Sequence, residues 1–224
     1  MVADSARRDG AEVREFTPVS QILPADERRR WIIQTASGEE REFDMVVNAV
    51  GPWMNELLAA NHLPTRYRLT LIRGSHLVLR KRVSEAGFLL QSMDDHRVFF
   101  VLPWKGATMV GTTEVHHTSS LDHIEPSAEE IEYLMGRFNH YFDQPIGLED
   151  VERTFSGVRP LIGQSGDPSA MTREYRIETR GTLINVFGGK MTTFLALGRR
   201  VGDAVDDAFG ETHAARPPVF APAS

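Results

Sequence analysis

The chain has 224 residues, 41% of them hydrophobic and 25% charged, which is the balance of a globular protein with room for one large core or two small ones. A formal net charge of −6, with both signs spread along the chain, argues against a nucleic-acid partner. Cysteine is absent, so disulfides, thiolate catalysis and cysteine-ligated metals are excluded, and a reducing, cytoplasmic compartment fits. No apolar run is long enough to span a bilayer, and Met1 is followed by polar and charged residues rather than by a secretory signal.

Residues 2–17 are charged, with a helix tail expected over Ala6–Val13 and a strand near Val13–Thr17. Val19–Leu23, Trp31–Thr35 and Glu42–Val50 predict a small antiparallel meander, with a charged turn at Asp26–Arg30 and a hairpin turn at Ser37-Gly38. Asn48-Ala49-Val50-Gly51-Pro52-Trp53 then ends a buried strand at a glycine, and Pro52 opens a short helix over Trp53–Asn61. Such a junction at the carboxyl end of a strand is where α/β sheets bind ligands.

Strand follows strand from Tyr67 to Thr113: Arg68–Ile72 and Ser75–Leu79 around Arg73-Gly74, then Phe88–Gln91, Val98–Leu102 and Met109–Thr112. This spacing predicts a mostly antiparallel sheet in a second domain. Glu114, His116, His117, Asp122 and His123 are metal-ligand types, but their spacing matches no zinc or di-metal pattern, so no metal is expected. Ser127-Ala128-Glu129-Glu130 is a capping box, and Ile131, Leu134, Phe138 and Tyr141 recur at helical spacing, so a covering helix is expected up to about Phe142.

Residues 152–163, ERTFSGVRPLIG, read as a strand in which Arg159 stands in an otherwise apolar run. A guanidinium there needs an anionic or carbonyl partner, either in a structural salt bridge or in a bound oxyanion. A Gly-, Ser- and Pro-rich loop over 163–172 leads to Arg173, then to strands over Tyr175–Glu178 and Thr182–Phe187. The stretch Leu183–Phe194 is a buried strand, a two-glycine turn at Gly188-Gly189 and a helix opening on Lys190. Bare turn backbone admits a flat ligand, and the helix start, Lys190, Thr192 and Thr193 suit a group that carries or gains negative charge. The tail from Gly210 is expected to be disordered.

In this order the segments VVNAVGPW, LIRGSHLVL, VFFVLPW, MVGTTEV, TFSGVRPLIG, MTREY and NVFGGKMTTF resemble the flavin-dependent glycerol-3-phosphate dehydrogenases. The resemblance runs from about Val13 to about Val205, and SGVRPL followed by FGGK-x-TT is its most specific pair. Val50, Glu114 and Phe194-Leu195 depart from the family, which commonly has Thr, Asp and Tyr-Arg there. Neither G-x-G-x-x-G nor a P-loop occurs in the chain.

The resemblance implies an α/β (α+β) fold, part of the two-domain flavoprotein type related to amine and 2-hydroxyacid oxidases. It puts a remnant of the FAD-binding domain at 1–64 and 156–209, and a substrate domain with a mostly antiparallel sheet and covering helices at 65–155. It implies oxidation of glycerol 3-phosphate to dihydroxyacetone phosphate by hydride transfer to FAD, with electrons passing to a quinone at a peripheral inner-membrane location. Asn48, Ala49 and Gly51 would line the adenosine side of FAD, and Gly188, Gly189, Lys190, Thr192 and Thr193 its ring side. Arg159 and Arg173 would hold the substrate phosphate. His76 is the candidate general base, with a pKa expected near neutrality, and Lys190 would polarise the reacting oxygen or tune the flavin. As a middle portion of such an enzyme, the chain alone is expected to bind FAD weakly, to be inactive, and to self-associate through exposed sheet edges. The alternatives are a related flavin oxidase for another 2-hydroxy acid or amine, which would need one arginine rather than two, or a non-catalytic domain that self-associates.

Overall fold

The computed structural model describes residues 2–25, 30–163 and 171–210. The charged turn at Asp26–Arg30, the loop over 163–172 and the tail beyond Gly210 thus fall largely outside the described residues. The chain divides into two compact units, one formed by 1–50, 54–65 and 176–224, the other by 51–53 and 66–175.

In the first unit, α1 (Val2–Arg8) precedes an antiparallel meander of β1 (Val19–Pro24), β2 (Trp31–Thr35) and β3 (Glu40–Phe43). The strand expected over Val13–Thr17 is absent; Phe16 there is fully exposed, with nothing to pair against. The strand expected over Glu42–Val50 is two strands. β3 ends the meander, and β4 (Val46–Asn48) joins a different sheet by pairing in parallel with β12 (Leu183–Phe187). The chain must change sheets between them, and the break falls at Asp44-Met45. β12 also pairs antiparallel with β11 (Arg176–Arg180), giving the order β11-β12-β4. Every residue of β12 is buried, as expected of a central strand covered on both faces. The indole N–H of Trp31 donates to Thr182 Oγ1 at 2.9 Å and ties the meander to this sheet. The short helix α2 (Met54–Ala60) is tied to β1 through Asn61, whose Oδ1 accepts from the Ile22 N–H at 2.7 Å. The last helix, α4 (Phe194–Phe209), opens at Phe194 rather than at Lys190, because a single 3-10 turn over Met191–Thr193 intervenes. Gly210, at φ 68°, closes α4 in the left-handed conformation that glycine adopts without cost.

The second unit is a six-stranded sheet in the order β10-β5-β8-β7-β6, with the two-residue β9 pairing on β5. Its strands are β5 (Leu69–Leu79), β6 (Phe88–Gln91), β7 (Val98–Trp104), β8 (Ala107–Gly111), β9 (Val115–His116) and β10 (Val151–Ile162). All the pairings are antiparallel. Two expectations change here. The strands expected on either side of Arg73-Gly74 are one continuous β5, because β10 pairs along nearly its whole length. Residues 156–175, expected to return to the first unit, belong to the second, since β10 stays in register with β5 through Ile162.

The covering helix α3 (Ala128–Tyr141) forms as its capping box predicts: Ser127 Oγ accepts from the Glu130 N–H, and Glu130 returns a carboxylate oxygen to the Ser127 N–H. It buries Leu134 and Phe138 against Leu77 and Leu79 of β5, Phe99 and Val101 of β7, Val110 of β8, and Ile146. That apolar core takes one face of the sheet, which leaves the opposite face of β5 and β10 for other work.

Candidate functional site

Alternation along β5 and its register with β10 build the first cluster. Leu77 and Leu79 face α3, so Ile72, Gly74, His76 and Val78 face away from it. Cross-strand pairing puts Phe155 beside His76, Gly157 beside Gly74 and Arg159 beside Ile72 on that outer face. The His76 ring stacks on Phe155 at 4.6 Å between centroids with planes 6° apart, and Phe100 lies 5.7 Å away. On its other side the ring lies over Gly111, where a Cβ would come within 2.3 Å of His76 Cδ2. Glycine at 111 is therefore what admits the imidazole.

The Arg159 guanidinium lies over the bare backbone of Gly74, where a Cβ would meet Nη2 at 2.6 Å. Nη2 donates to Thr112 Oγ1 at 3.0 Å, and Nη1 is 3.6 Å from Glu114 Oε1. Nη1 is buried and has no hydrogen-bond partner among the described residues. Arg173 Nη2 donates to the same Glu114 oxygen at 2.6 Å, and Arg97 Nη1 donates to the Glu114 backbone carbonyl at 3.1 Å. Glu114 is 12% exposed at its side chain and Arg173 50%, so the cluster has a wet side and a dry side. Burial pulls the Arg159 pKa below its ordinary value, Glu114 opposes that, and the Arg173 charge adds to it. Guanidinium nevertheless remains charged in proteins. Burial, and then the Arg159 charge, hold His76 down at about 4, against a weaker upward pull from the Phe155 backbone. That differs from the near-neutral value expected: the imidazole sits between two aromatic rings and beside a fixed cation, so it is neutral at pH 7.

Behind this face lies a second polar group on the α3 side. Glu130 is nearly fully buried, and its Oε1 accepts from Ser75 Oγ at 2.8 Å and Thr113 Oγ1 at 2.6 Å. Its Oε2 pairs with Arg73 at 2.6 Å. Burial pushes the Glu130 carboxyl upward, but the donors from Ser127, Thr113, Ser75 and Arg73 outweigh it and hold the pKa below the usual range. Glu130 thus braces residues 75 and 113, the immediate neighbours of His76 and Thr112.

The other expected residues lie in or next to the first unit. Asn48 is buried; its Nδ2 donates to Asn185 Oδ1 at 3.0 Å, so its side chain bridges two parallel strands. Asn48 Oδ1 and Asn185 Nδ2 are buried without hydrogen-bond partners among the described residues. Ala49 is exposed, and Gly51, at φ 62°, opens the 3-10 turn over Gly51–Trp53. Gly188 and Gly189 follow β12 at φ 70° and 105°, conformations that require glycine. Lys190 is exposed and caps the next 3-10 turn without a side-chain hydrogen bond, Thr192 is exposed, and Thr193 Oγ1 donates to the Lys190 carbonyl at 3.2 Å. The structure therefore brings His76, Arg159 and Arg173 together within the second unit, and Gly188, Gly189, Lys190, Thr192 and Thr193 together within the first. An open hollow of about 310 Å³ over the meander, lined by Glu12, Arg14, Ile33, Arg41 and Phe43 among others, contains none of them. Among the described residues no group of three His, Asp or Glu side chains could hold a metal ion.

Glu114, Thr112, Gly74 and Phe155 escaped the sequence reading as site residues. Glu114 lies in the short link between β8 and β9, where it meets two arginines distant in sequence.

With this geometry in hand, the comparisons with known proteins become specific. The profile of the FAD dependent oxidoreductase (DAO) family matches residues 1–204. This chain belongs to that family. It is 37% identical over 210 residues to the D-erythritol 1-phosphate dehydrogenase of Brucella abortus, covering 88% of this chain and 41% of the relative. It is 36% identical over 204 residues to the aerobic glycerol-3-phosphate dehydrogenase of Escherichia coli, covering 85% of this chain and 40% of the relative. The chain thus spans about two fifths of these relatives' lengths. In fold it is similar to the FAD-complexed glycerol-3-phosphate dehydrogenase of Bacillus halodurans, with a TM-score of 0.76 and 23% identity over 96% of this chain and 42% of that one. The family relationship establishes an oxidoreductase lineage that uses FAD, and the mixed α/β fold with antiparallel sheets agrees with it. No helix among the described residues is long and apolar enough to cross a membrane.

Proposed function

We propose that this chain is the portion of an FAD-dependent dehydrogenase that holds a small phosphorylated polyol, with sn-glycerol 3-phosphate as substrate and dihydroxyacetone phosphate as product. The observation that carries the reading is the pair Arg159 and Arg173 converging on one oxygen of Glu114, on the same sheet face as His76. Two convergent guanidinium groups fit a phosphate dianion, where a carboxylate needs one.

Each residue then has a defined task. Arg159 and Arg173 hold and orient the phosphate. The neutral imidazole of His76 accepts the proton of the carbon-2 hydroxyl; the arriving phosphate charge offsets Arg159 and raises the basicity of the ring. In the first unit, the side-chain-free turn at Gly188-Gly189, with the uncapped N–H groups near Lys190, fits the edge of a flavin ring that gains negative charge. When bound, FAD supplies the acceptor for the carbon-2 hydride. Lys190 adds positive charge at that edge. Asn48, whose Nδ2 is held by Asn185 while its Oδ1 has no partner among the described residues, would line the adenosine portion together with Ala49 and Gly51.

The same reading includes a quinone as the final electron acceptor and a peripheral location on the inner membrane face. It includes self-association of the chain on its own: α4 has no buried residue, and Phe194, Leu195 and Phe209 are exposed. Light scattering that returns a clean monomer contradicts that element. The main test is anaerobic bleaching of the flavin absorbance in the purified flavoprotein that carries this sequence. Glycerol 3-phosphate is expected to bleach it, while glycerol, lactate and glycine are not. Bleaching by an unphosphorylated 2-hydroxy acid or amine would establish the alternative oxidase reading instead.

A further inference from the structure

Glu114 stands where an anion would have to go. Its Oε1 accepts from Arg173 Nη2 at 2.6 Å and lies 3.6 Å from Arg159 Nη1, the one guanidinium nitrogen of Arg159 that is buried with no hydrogen-bond partner among the described residues. A single carboxylate oxygen thus draws two cations together. The backbone of Glu114 is held by Arg97 through its carbonyl, and Thr112, two residues earlier, is held by Arg159 itself. The carboxylate is anchored from behind and free only to swing, since its own side chain carries no other hydrogen bond among those described.

We infer that Glu114 is an internal counter-ion of the Arg159–Arg173 pair, which a substrate phosphate must displace in order to bind. The inference rests on the reading of these two arginines as the phosphate-holding pair. Its chemical consequence is a threshold. A monoanionic carboxylate entering the site exchanges one carboxylate for another and gains little. A phosphate dianion offers more oxygens and twice the charge, engages both forks at once, and gives Arg159 Nη1 the acceptor it lacks. Glu114 therefore sets which anions bind at useful concentrations: phosphomonoesters pass, hydroxy acids and amino acids do not. Because the second phosphate ionisation lies near pH 6, binding strengthens as pH rises through that value. The charged groups that face Glu114 are the guanidinium groups of Arg159, Arg173 and Arg97, and the His76 imidazole lies on the far side of Arg159.

A displaced counter-ion and a fixed one predict different numbers. If Glu114 leaves when any anion binds, every ligand loses the same ion pair, so removing its charge strengthens all anions by the same factor. If it stays, removing it favours the dianion more. If it merely holds Arg173 in place, removing it weakens binding.

The test is calorimetric titration of the full chain with glycerol 3-phosphate and with glycerate, in the wild type, Glu114→Gln and Glu114→Asp. Glu114→Gln is expected to strengthen both ligands by a common factor of about five- to tenfold, the equivalent of one partly exposed ion pair. Glu114→Asp keeps the charge and stays near the wild-type affinities. Unchanged or weaker binding by Glu114→Gln, while the wild type still binds glycerol 3-phosphate, overturns the inference and leaves the phosphate reading standing. Absence of glycerol 3-phosphate binding in both proteins overturns both. A second readout needs no variant: the Glu114 carboxylate carbon signal of the wild type, followed by NMR, shifts on saturation with glycerol 3-phosphate, and a signal that stays still refutes displacement.

Discussion

The imidazole of His76 carries a pH signature that can be worked out from its surroundings. Burial between Phe155 and Phe100, and then the charge on Arg159, lower its pKa from 6.5 to about 4. A histidine with a depressed pKa binds fewer protons folded than unfolded, so the stability it confers is fully present above pH 6.5 and is lost as the pH falls from 6.5 toward 4. The full gap corresponds to about 3 kcal/mol, and solvent screening of a ring that is only partly buried reduces that to about 1–2 kcal/mol. Urea unfolding of the wild type and of His76→Gln at several pH values isolates this contribution, since the carboxylates are common to both. The wild type should lose about 1–2 kcal/mol more than His76→Gln between pH 6.5 and 4. In a direct NMR titration Arg159→Met should raise the His76 pKa only part of the way, because burial is the larger cause. A wild-type ring that titrates at 6.5 or above, or parallel pH profiles for the two proteins, would refute the reasoning.

Three further outcomes follow from contacts already described. Glu130→Gln leaves Arg73 buried without its counter-charge, and thermal or urea unfolding should show a loss of about 3 kcal/mol, larger than any surface charge change would give. Gly111→Ala drives a methyl into the His76 ring and should cost about 1–3 kcal/mol; combined with His76→Ala, most of that cost should vanish in a double-mutant cycle. Gly188→Ala forces an L side chain to φ 70° and should cost roughly 1–2 kcal/mol in unfolding experiments, with no change in the His76 titration.

What was legible in the sequence was local. β6 falls at Phe88–Gln91 as read, and α3 begins at Ser127 because a capping box is a signal four residues long. Strand boundaries settled by a distant partner were not legible. Arg73-Gly74 looks like a turn until β10 is laid along it, and residues 156–162 look like a return to the first unit until their register with β5 is known. The site divides in the same way. Arg159 stood out because a guanidinium in an apolar run demands a partner. That partner, Glu114, lies 45 positions earlier, in the link between two strands, where no spacing rule reaches. The low pKa of His76 was hidden for the same reason, since Phe155 and Arg159 come from the neighbouring strand.

The polar cluster on the outer face of the second unit depends on glycines. Gly74 and Gly111 leave the floor on which Arg159 and His76 lie: a methyl at 111 meets the His76 ring first, and a methyl at 74 meets Arg159 Nη2 and Thr112 Oγ1 together, each at 2.6 Å. The packing of the sheet and the placement of the candidate catalytic groups are thus one constraint. Glu130 adds to it from the opposite face by holding Ser75 and Thr113 with a single carboxylate oxygen.

The central claim is that Arg159 and Arg173 form a phosphate site. Titration of glycerol 3-phosphate into the purified chain, followed by phosphorus NMR, tests it most directly. The account predicts saturable binding with one ligand per chain, abolished by Arg159→Met, weakened by Arg173→Met and untouched by glycerol used as a competitor. Binding that survives Arg159→Met unchanged, or no binding by a folded chain, would contradict it.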